Sequence, residues 1–477
     1  MRKYSFLTLL LMLAATAATS FGACHAVGSS AAGNGSGSDW NNRMNKLPAN
    51  LVRGDTYYLM DGSYGGYTFT TANSGTTRVT VKKGQSYDFG RAADGCSNDV
   101  SAGWNTATMG SGQAAFSSFN GGSTQGYLTL DGNGSSTAPG CGTSPTANTQ
   151  PKDCGIKFTV SQGSTGPITI GQNGQRVAGW TIRYVETQGA GDGNNSGSTE
   201  ENHVRCAGAC DAFLVEHVWW YNSSCNSIKL PWTTSATFRD SYFKQNFSSA
   251  ACHGQFYLSE VATSNVTFSD NVIQDIQGTG IWVVVTGGQA DNYNIYNNVI
   301  VKTQGSSRAG LSNGIFACIN SGSKCTNWKF IGNSVVNLAG DYSGSAGILS
   351  ENNNGNSYTW QNNLFYNSSG VGFTLNGAAF TEDHNSWLNS GSPRSGTGDI
   401  AVASGAPNPF VNWSGADFRL ANQNADWGAG VSLPSPFNVD MAGTSRPGSN
   451  GIWDRGAFEY GGGQAPAPPS SLSTAVH

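Results

Sequence analysis

Residues able to carry acid–base chemistry recur in a set of short segments that align with one another. The segments read HVRCAG, SIKLPW, QFYLSE, GIWVVV, GIFACI, GILSEN and GFTLNG, and begin at residues 203, 227, 255, 280, 314, 347 and 372. Their second residue is always apolar and is predicted to point into a core. The third must then point outward, because side chains alternate along a strand. The resulting outward column is Arg205, Lys229, Tyr257, Trp282, Phe316, Leu349 and Thr374.

The column and its flanks combine the groups that β-elimination on a uronic-acid polysaccharide requires. That reaction needs a cation beside the sugar carboxylate, a base for the neighbouring C–H and an acid for the departing oxygen. Lys229 and Arg205 are the candidates for base and neutraliser. Lys229 is preferred as the base, because a second cation nearby favours a neutral lysine. Tyr257 and His253 are the candidates for the acid.

Further side chains beside these candidates are expected to bind the sugar chain. They are Trp282, Phe316, His203 and Gln255. The two aromatic residues offer large flat apolar faces suited to stacking on sugar rings. A purely structural alternative stays open, in which outward aromatics pack under a loop, Lys229 is a solvated charge, and Tyr257 and His253 are packing residues.

Two other functions fit the same segments. A glycoside hydrolase needs two carboxylates about 5–10 Å apart, and Glu260 could form such a pair with Glu201 or Asp211. A non-catalytic adhesin would use the aromatic stripe to bind glycans without turnover. No group of acidic residues defines a metal site, so metal ligands stay unassigned. The Gly-rich segments follow no strand–helix pattern, so no nucleotide cofactor is predicted.

A repeat positions these segments. The template apolar, any, apolar, any, any, Asn-like, any, apolar recurs with its Asn-like position at 217, 241, 271, 298, 333, 363 and 385. Repeats of this length with period-two strands indicate a β-solenoid, in which stacked coils share one core. Asn tolerates the left-handed backbone of a bend, and stacked Asn side chains can hydrogen-bond along the stack. A β-sandwich is the alternative.

Two long segments point to a known superfamily. Gly54–Lys82 (GDTYYLMDGSYGGYTFTTANSGTTRVTVK) looks like an opening coil, and Asp417–Tyr460, with DFRLANQNADWGAG and DMAGTSRPGSNGIWDRGAFEY, looks like a closing segment. Over residues 40–460 the chain resembles the bacterial secreted β-helix proteins of the pectin-lyase-like superfamily. The resemblance implies an all-β fold, namely a single right-handed parallel β-helix with capping segments. It leaves the chemistry open, because the superfamily holds lyases, hydrolases, esterases and adhesins. Its lyases often use calcium, which makes calcium a candidate cofactor.

Composition excludes several other classes of protein. The 477 residues include 25 basic and 29 acidic ones, 11% charged in all, with a net charge of −4; an average soluble protein has about 25%. A nucleic-acid binder would need a basic stripe. The 13 Trp, 17 Tyr and 22 Phe argue against a disordered chain. No apolar run beyond the N-terminus approaches the roughly 20 residues of a membrane span. We expect a monomer that binds a polysaccharide.

The N-terminus predicts export. Residues 1–23 have basic residues followed by a short apolar run, as in a cleaved signal peptide. The protein is then secreted or periplasmic, unless Ala23-Cys24 is a lipobox and Cys24 anchors a lipoprotein in the outer membrane. Residues 24–39 are expected to be a flexible Gly/Ser linker, and 461–477 a disordered Pro/Ser tail.

Cysteine usage fits an oxidising compartment. The ten cysteines are expected to form disulfides, with Cys318 and Cys325 closing a short loop. A metal site is the alternative for the cluster His203, Cys206, Cys210, Cys225, Cys252 and His253. Its spacing matches no zinc pattern.

Overall fold

A computed structural model describes most of the chain. The described residues are 22–84, 96–97, 114–116, 119–121, 125–134, 141, 154–159, 166–171, 176–189, 201–246, 254–278, 280–283, 288–303, 314–319, 322–338, 346–350, 355–369, 371–391, 395–422, 429–448 and 450–460. Within them, 38 strands are described. Of these, 36 form two parallel sheets, of 24 and 12 strands, which are wound into three faces that we call A, B and C. In the described part of the chain no helix has the length and hydrophobicity needed to cross a membrane.

Face A runs the length of the molecule. Its strands are β1 (Cys24–Val27), β2 (Thr56–Leu59), β5 (Val79–Lys83), β8 (Leu128–Asp131), β12 (Thr181–Arg183), β16 (Phe213–Glu216), β19 (Ala236–Arg239), β24 (Gln289–Tyr296), β28 (Trp328–Ile331), β31 (Ser357–Gln361) and β34 (Ala379–Asp383). The long strand β21 (Tyr257–Ser269) contributes its second half to face A and its first half to face B.

Face B precedes face A within each coil. Its strands are β4 (Tyr67–Phe69), β7 (Phe119–Gly121), β10 (Ile168–Ile170), β14 (Asn202–Cys206), β18 (Asn226–Thr233), the first half of β21, β23 (Ile281–Val283), β26 (Phe316–Cys318), β30 (Ala346–Ser350) and β33 (Gly372–Thr374). Short strands bridge the corner to face A, namely β11 (Arg176–Ala178), β15 (Ala209–Asp211) and β27 (Lys324–Thr326).

Face C follows face A and completes the coil. Its strands are β3 (Gly62–Tyr64), β6 (Ala114–Phe116), β9 (Ile156–Thr159), β13 (Val185–Gln188), β17 (Trp219–Ser223), β20 (Tyr242–Asn246), β22 (Val272–Ile276), β25 (Val299–Val301), β29 (Ser334–Val336), β32 (Leu364–Tyr366), β35 (Ser386–Leu388) and β36 (Ile400–Val402). Beyond face C, β37 (Phe410–Asn412) and β38 (Asp417–Leu420) pair antiparallel, and 3-10 turns span Trp40–Asn42 and Trp413–Gly415.

The strand pairing defines an all-β right-handed parallel β-helix, as predicted. One apolar core extends from Val27 to Trp387, because each coil buries its inward residues against the coils above and below. Trp220, Trp328 and Trp360 fill it and are fully buried.

The predicted asparagine ladder forms at the corner between faces A and C. Asn271, Asn298, Asn333, Asn363 and Asn385 are fully buried. The side-chain oxygen of each accepts the backbone N–H of the preceding ladder residue, at 2.9–3.1 Å. The left-handed backbone lies one residue earlier than predicted, at positions such as Asp270 and Asn297.

His217 was assigned to the ladder position by the template, and that assignment is off by one residue. The ladder position of its coil is Val218, whose N–H donates to Ser241 Oγ at 3.2 Å. His217 itself has the left-handed backbone, with φ of 51°, and stacks on Tyr184 at 4.9 Å between ring centroids. It is a corner residue of the solenoid.

The chain after face C folds back over the outside of that face. Apolar residues of this closing segment, including Phe410 and Phe418, pack on the outward residues of face C. Arg446 is buried there and donates to Glu459 Oε1 at 3.0 Å and to Asn297 Oδ1 at 3.3 Å. The outer wall of face C is therefore covered along its C-terminal half.

The N-terminal segment departs from the expected linker. Cys24–Val27 form β1, which pairs with β2 and is largely buried. Cys24 is bonded to Cys96, and a sulfur held in a disulfide is not available for the thioether of a lipoprotein. The expected flexible linker is wrong for this stretch, because its alternating apolar residues complete the first coil.

The remaining described cysteines are also bonded. Disulfides join Cys141 to Cys154, Cys206 to Cys210 and Cys318 to Cys325, and Cys225 is disulfide-bonded as well. The predicted Cys318–Cys325 loop is confirmed. The described cysteines of the His/Cys cluster, Cys206, Cys210 and Cys225, are in disulfides, while Cys252 and His253 lie outside the described residues.

Candidate active site

Two cations meet on the outer wall of face B, which we define as the outward side of its strands. Val204 and Ile228 pair in register and are fully buried. The next pair, Arg205 and Lys229, therefore points away from the core. Arg205 is half-buried, and the Lys229 side chain is only 8% exposed. These two side chains lie where the sequence alignment placed them, and we call them the cation pair.

Glu260 completes the cluster from the next strand. Its Oε1 lies 2.8 Å from Lys229 Nζ, and its side chain is 27% exposed. Leu230 pairs with Ser259 but Trp232 pairs with Ala262, so β21 has one residue more than β18 at this point. Such a β-bulge can redirect a side chain. Pro231, which has no N–H to donate, lies opposite the bulge.

Tyr257 does not belong to the outer wall, so its predicted orientation is wrong. It pairs with the inward residues Ile228 and Ile281 and is fully buried. Its hydroxyl accepts from the Tyr293 hydroxyl at 3.3 Å, and burial raises the pKa of Tyr257 well above its ordinary value. It is a core residue that a surface substrate does not reach.

Phe316 is misassigned in the same way. It pairs with Ile281 and Ile348, is 1% exposed, and packs edge-on against Trp328 at 5.1 Å between ring centroids. Both segments contain several adjacent apolar residues, so the alternation pattern does not distinguish inward from outward. A shift of one residue turns every side chain to the other side of the sheet.

The corrected column continues the outer wall with apolar residues. Leu258 pairs with Lys229 and with Trp282, and Trp282 pairs with Ala317. Leu258 and Ala317 are 6% and 0% exposed and pack together with Ile319. The side chain of Trp282 lies outside the described residues, so only its place in the register is established.

His203 and Gln255 are also buried, contrary to the expected contact with substrate. His203 Nδ1 is 2.6 Å from Thr187 Oγ1, and its ring lies 5.8 Å from that of Trp220. Complete burial lowers the pKa of His203 to about 3. Gln255 is 2% exposed, and its carbonyl accepts from Asn246 Nδ2 at the corner between faces C and B. Both residues stabilise the corner.

The two acids that the sequence offered as partners of Glu260 in a hydrolase, Glu201 and Asp211, have other contacts. Glu201 is 1% exposed and accepts from the Ser224 hydroxyl at 2.8 Å. Asp211 is ion-paired with Arg176 and accepts from Thr234. Each of the two acids therefore has partners other than Glu260.

Among the described residues, no metal site is identified near the cluster. Among the residues that the structure describes, no group of three or more His, Cys, Asp or Glu side chains is arranged to hold a metal ion. We therefore assign no residue to calcium.

Two features of the site escaped the sequence alignment. Thr169 extends the column on the N-terminal side, because it pairs with Arg205; the signal was the short apolar-Thr-apolar run Ile168–Ile170. The contact between Glu260 and Lys229 depends on the bulge, for which Pro231 was the only sequence signal.

Comparisons with known proteins add little to the strand pairing. No protein-family model matches the chain, and a search of curated proteins finds no significant match. Among solved structures, the chain is similar to pectate lyase Pel9A, with 14% identity, a TM-score of 0.43, and coverage of 92% of this chain and 98% of that one. It is also similar to a mutant of the PL6-family alginate lyase AlyGC, with 12% identity, a TM-score of 0.39, and coverage of 74% and 49%. With both TM-scores below 0.5, the fold assignment rests on the strand pairing.

Proposed function

We propose that this protein is an extracellular polysaccharide lyase that cleaves a uronic-acid polysaccharide by β-elimination. The observation that carries the proposal is the cation pair, Arg205 and Lys229, in register on adjacent strands of the outer wall. Strands in a sheet are about 4.8 Å apart, a spacing at which one sugar carboxylate can contact both cations. The disulfides fit an extracellular protein.

The chemistry follows from the charges. A cation beside the carboxylate of a uronic acid stabilises the negative charge that develops when the adjacent C5–H bond breaks. A base takes this proton, the electron pair forms the C4=C5 double bond, and the C4–O bond breaks. The leaving oxygen then takes a proton from an acid. Tyr257 is excluded as this acid by its place in the core, so His253 stays our candidate.

The test is a direct assay for the product. Purified protein is incubated with pectate, alginate, glycosaminoglycans and neutral glycans, with and without calcium. The ultraviolet absorbance of unsaturated uronate and the release of reducing ends are followed in parallel. We expect absorbance with an acidic polymer, and a rate lowered about 10²–10³-fold by Lys229→Met, as for other lost electrostatic donors.

A matched control separates the site from general charge effects. Lys329 is half-buried on the outer wall of face A, so Lys329→Met should keep the full rate. Reducing ends without absorbance would replace the lyase by a hydrolase. Binding without either signal would leave a glycan-binding solenoid.

A further inference from the structure

The contact between Lys229 and Glu260 bears on which group takes the proton. Leu258 lies directly opposite Lys229, and Glu260 is the next outward residue along β21. The long lysine side chain reaches across this diagonal to place Nζ 2.8 Å from Oε1. Arg205, Lys229 and Glu260 therefore occupy three successive strands of face B.

The cations are unsuited to accepting a proton in this arrangement. Lys229 Nζ is already in contact with Glu260 Oε1 at 2.8 Å, and the lysine side chain is only 8% exposed, so a substrate C–H reaches it less easily than it reaches Glu260. A guanidinium is not deprotonated in proteins. Glu260 is the group of the cluster that has free electron pairs in its ionised form, and at 27% exposure it is the more accessible partner.

We propose that Glu260 is the general base and that Arg205 and Lys229 together hold the substrate carboxylate. This assignment rests on the lyase function proposed above. The uronic-acid carboxylate takes the place of Glu260 on Lys229, and Glu260 then accepts the C5 proton as the C4=C5 bond forms and the C4–O bond breaks. Glu260 becomes protonated, and the carboxylate of the substrate keeps its contact with the cation pair.

The exchange of carboxylates also defines the substrate class. Before binding, Glu260 neutralises Lys229, so a ligand must supply a negative charge to separate the two. A neutral glycan has no charge to exchange for the Glu260 carboxylate on Lys229. Oligosaccharides carrying a uronate should therefore bind, and their uncharged analogues should not.

The experiment compares Glu260→Gln and Glu260→Ala with the wild type on the acidic polymer that the wild type cleaves. We expect Glu260→Gln to lower kcat about 10²–10⁴-fold, as for other lost general bases, without raising KM, because the substrate carboxylate no longer has to displace a charged Glu260 from Lys229. A carboxylate base makes kcat/KM fall on the acidic side of the pH profile, and the residual activity of Glu260→Gln should lack this fall. Formate should restore activity to Glu260→Ala, whereas formamide should not.

Glu216→Gln is the matched control. It removes a carboxylate that is ion-paired with Arg239 at 2.6 Å on face A, and it should keep the wild-type rate. Three results would overturn the assignment of Glu260 as the base while leaving the lyase function intact. They are a wild-type kcat in Glu260→Gln, no rescue of Glu260→Ala by formate, and a wild-type activity that rises only on the alkaline side of the pH profile. A wild-type protein that produces no unsaturated uronate would overturn both.

Discussion

The asparagine ladder should carry a measurable share of the stability, and Asn333 is its best test. Asn333 is fully buried. Its Oδ1 accepts from the backbone N–H of Asn298 at 2.9 Å and from Asn298 Nδ2 at 3.0 Å. Its Nδ2 donates to the carbonyls of Ile295 at 3.0 Å and Ile331 at 3.2 Å. Asn333→Ala removes all of these bonds from an interior that water does not reach.

The expected cost follows from the groups left behind. A buried polar group without a partner costs about 1–3 kcal/mol. The backbone N–H of Asn298 loses the bond described above, and the Ile295 carbonyl loses a donor. We therefore expect Asn333→Ala to lower the free energy of unfolding by about 2–5 kcal/mol. Asn333→Ser should cost less, because a serine can still accept the backbone bond of the ladder. Ser241 occupies the ladder position of its own coil, and its Oγ accepts the backbone N–H of Val218, the ladder residue of the preceding coil, at 3.2 Å.

The measurement is equilibrium unfolding in guanidinium chloride, followed by tryptophan fluorescence, with the free energy taken from midpoint and slope. Asn294→Ala is the control, because Asn294 lies half-buried on the outer wall of face A; a surface change of this kind stays within about 0.5 kcal/mol. The reasoning fails if Asn333→Ala matches Asn294→Ala. It also fails if Asn333→Ser is as damaging as Asn333→Ala.

Two pH predictions follow from buried ionisable groups. Because burial lowers the pKa of His203 to about 3, unfolding takes up a proton below the ordinary histidine pKa of about 6.5. The free energy of unfolding should therefore fall as the pH drops from about 6.5 to about 3. The fall should be smaller in His203→Phe, which a comparison of the free energy of unfolding at pH 7 and pH 5 will test. Burial, together with the nearby Asp240, raises the pKa of Asp270 to about 7. This carboxyl should cost stability as the pH rises from about 4 to 7, and Asp270→Asn should be more stable than the wild type at pH 8. An unchanged pH dependence in either variant would contradict its prediction.

The repeat made the fold predictable. Each coil must bury one side of every strand, so apolar residues recur with a period of two, and the ladder position favours Asn, whose side chain can hydrogen-bond along the stack. These constraints are local and repeated, as in the coils of Asn298 and Asn333. The C-terminal cover of face C was recognisable only by resemblance, because its contacts, such as Arg446 with Asn297, join residues far apart in the chain.

The site was predictable only where the pattern was unambiguous. In IKL and VRC a single polar residue lies between apolar ones, so Lys229 and Arg205 were placed correctly. In FYL of the third segment all three residues are apolar or aromatic, and the position of Tyr257 depends on the register of β21 against β18. His203 looked accessible by alternation, but a corner turned it into the core.

A stacked solenoid with a ladder of asparagines follows from the amino-acid sequence alone, because each coil repeats the same short-range pattern. The folded structure settles which residue of an apolar run faces the core, since register is set by the hydrogen bonds of neighbouring coils rather than by one strand alone. It also decided that Glu260 meets Lys229. That contact depends on the extra residue in β21, which forms a bulge only because β21 pairs with β18 of the neighbouring coil.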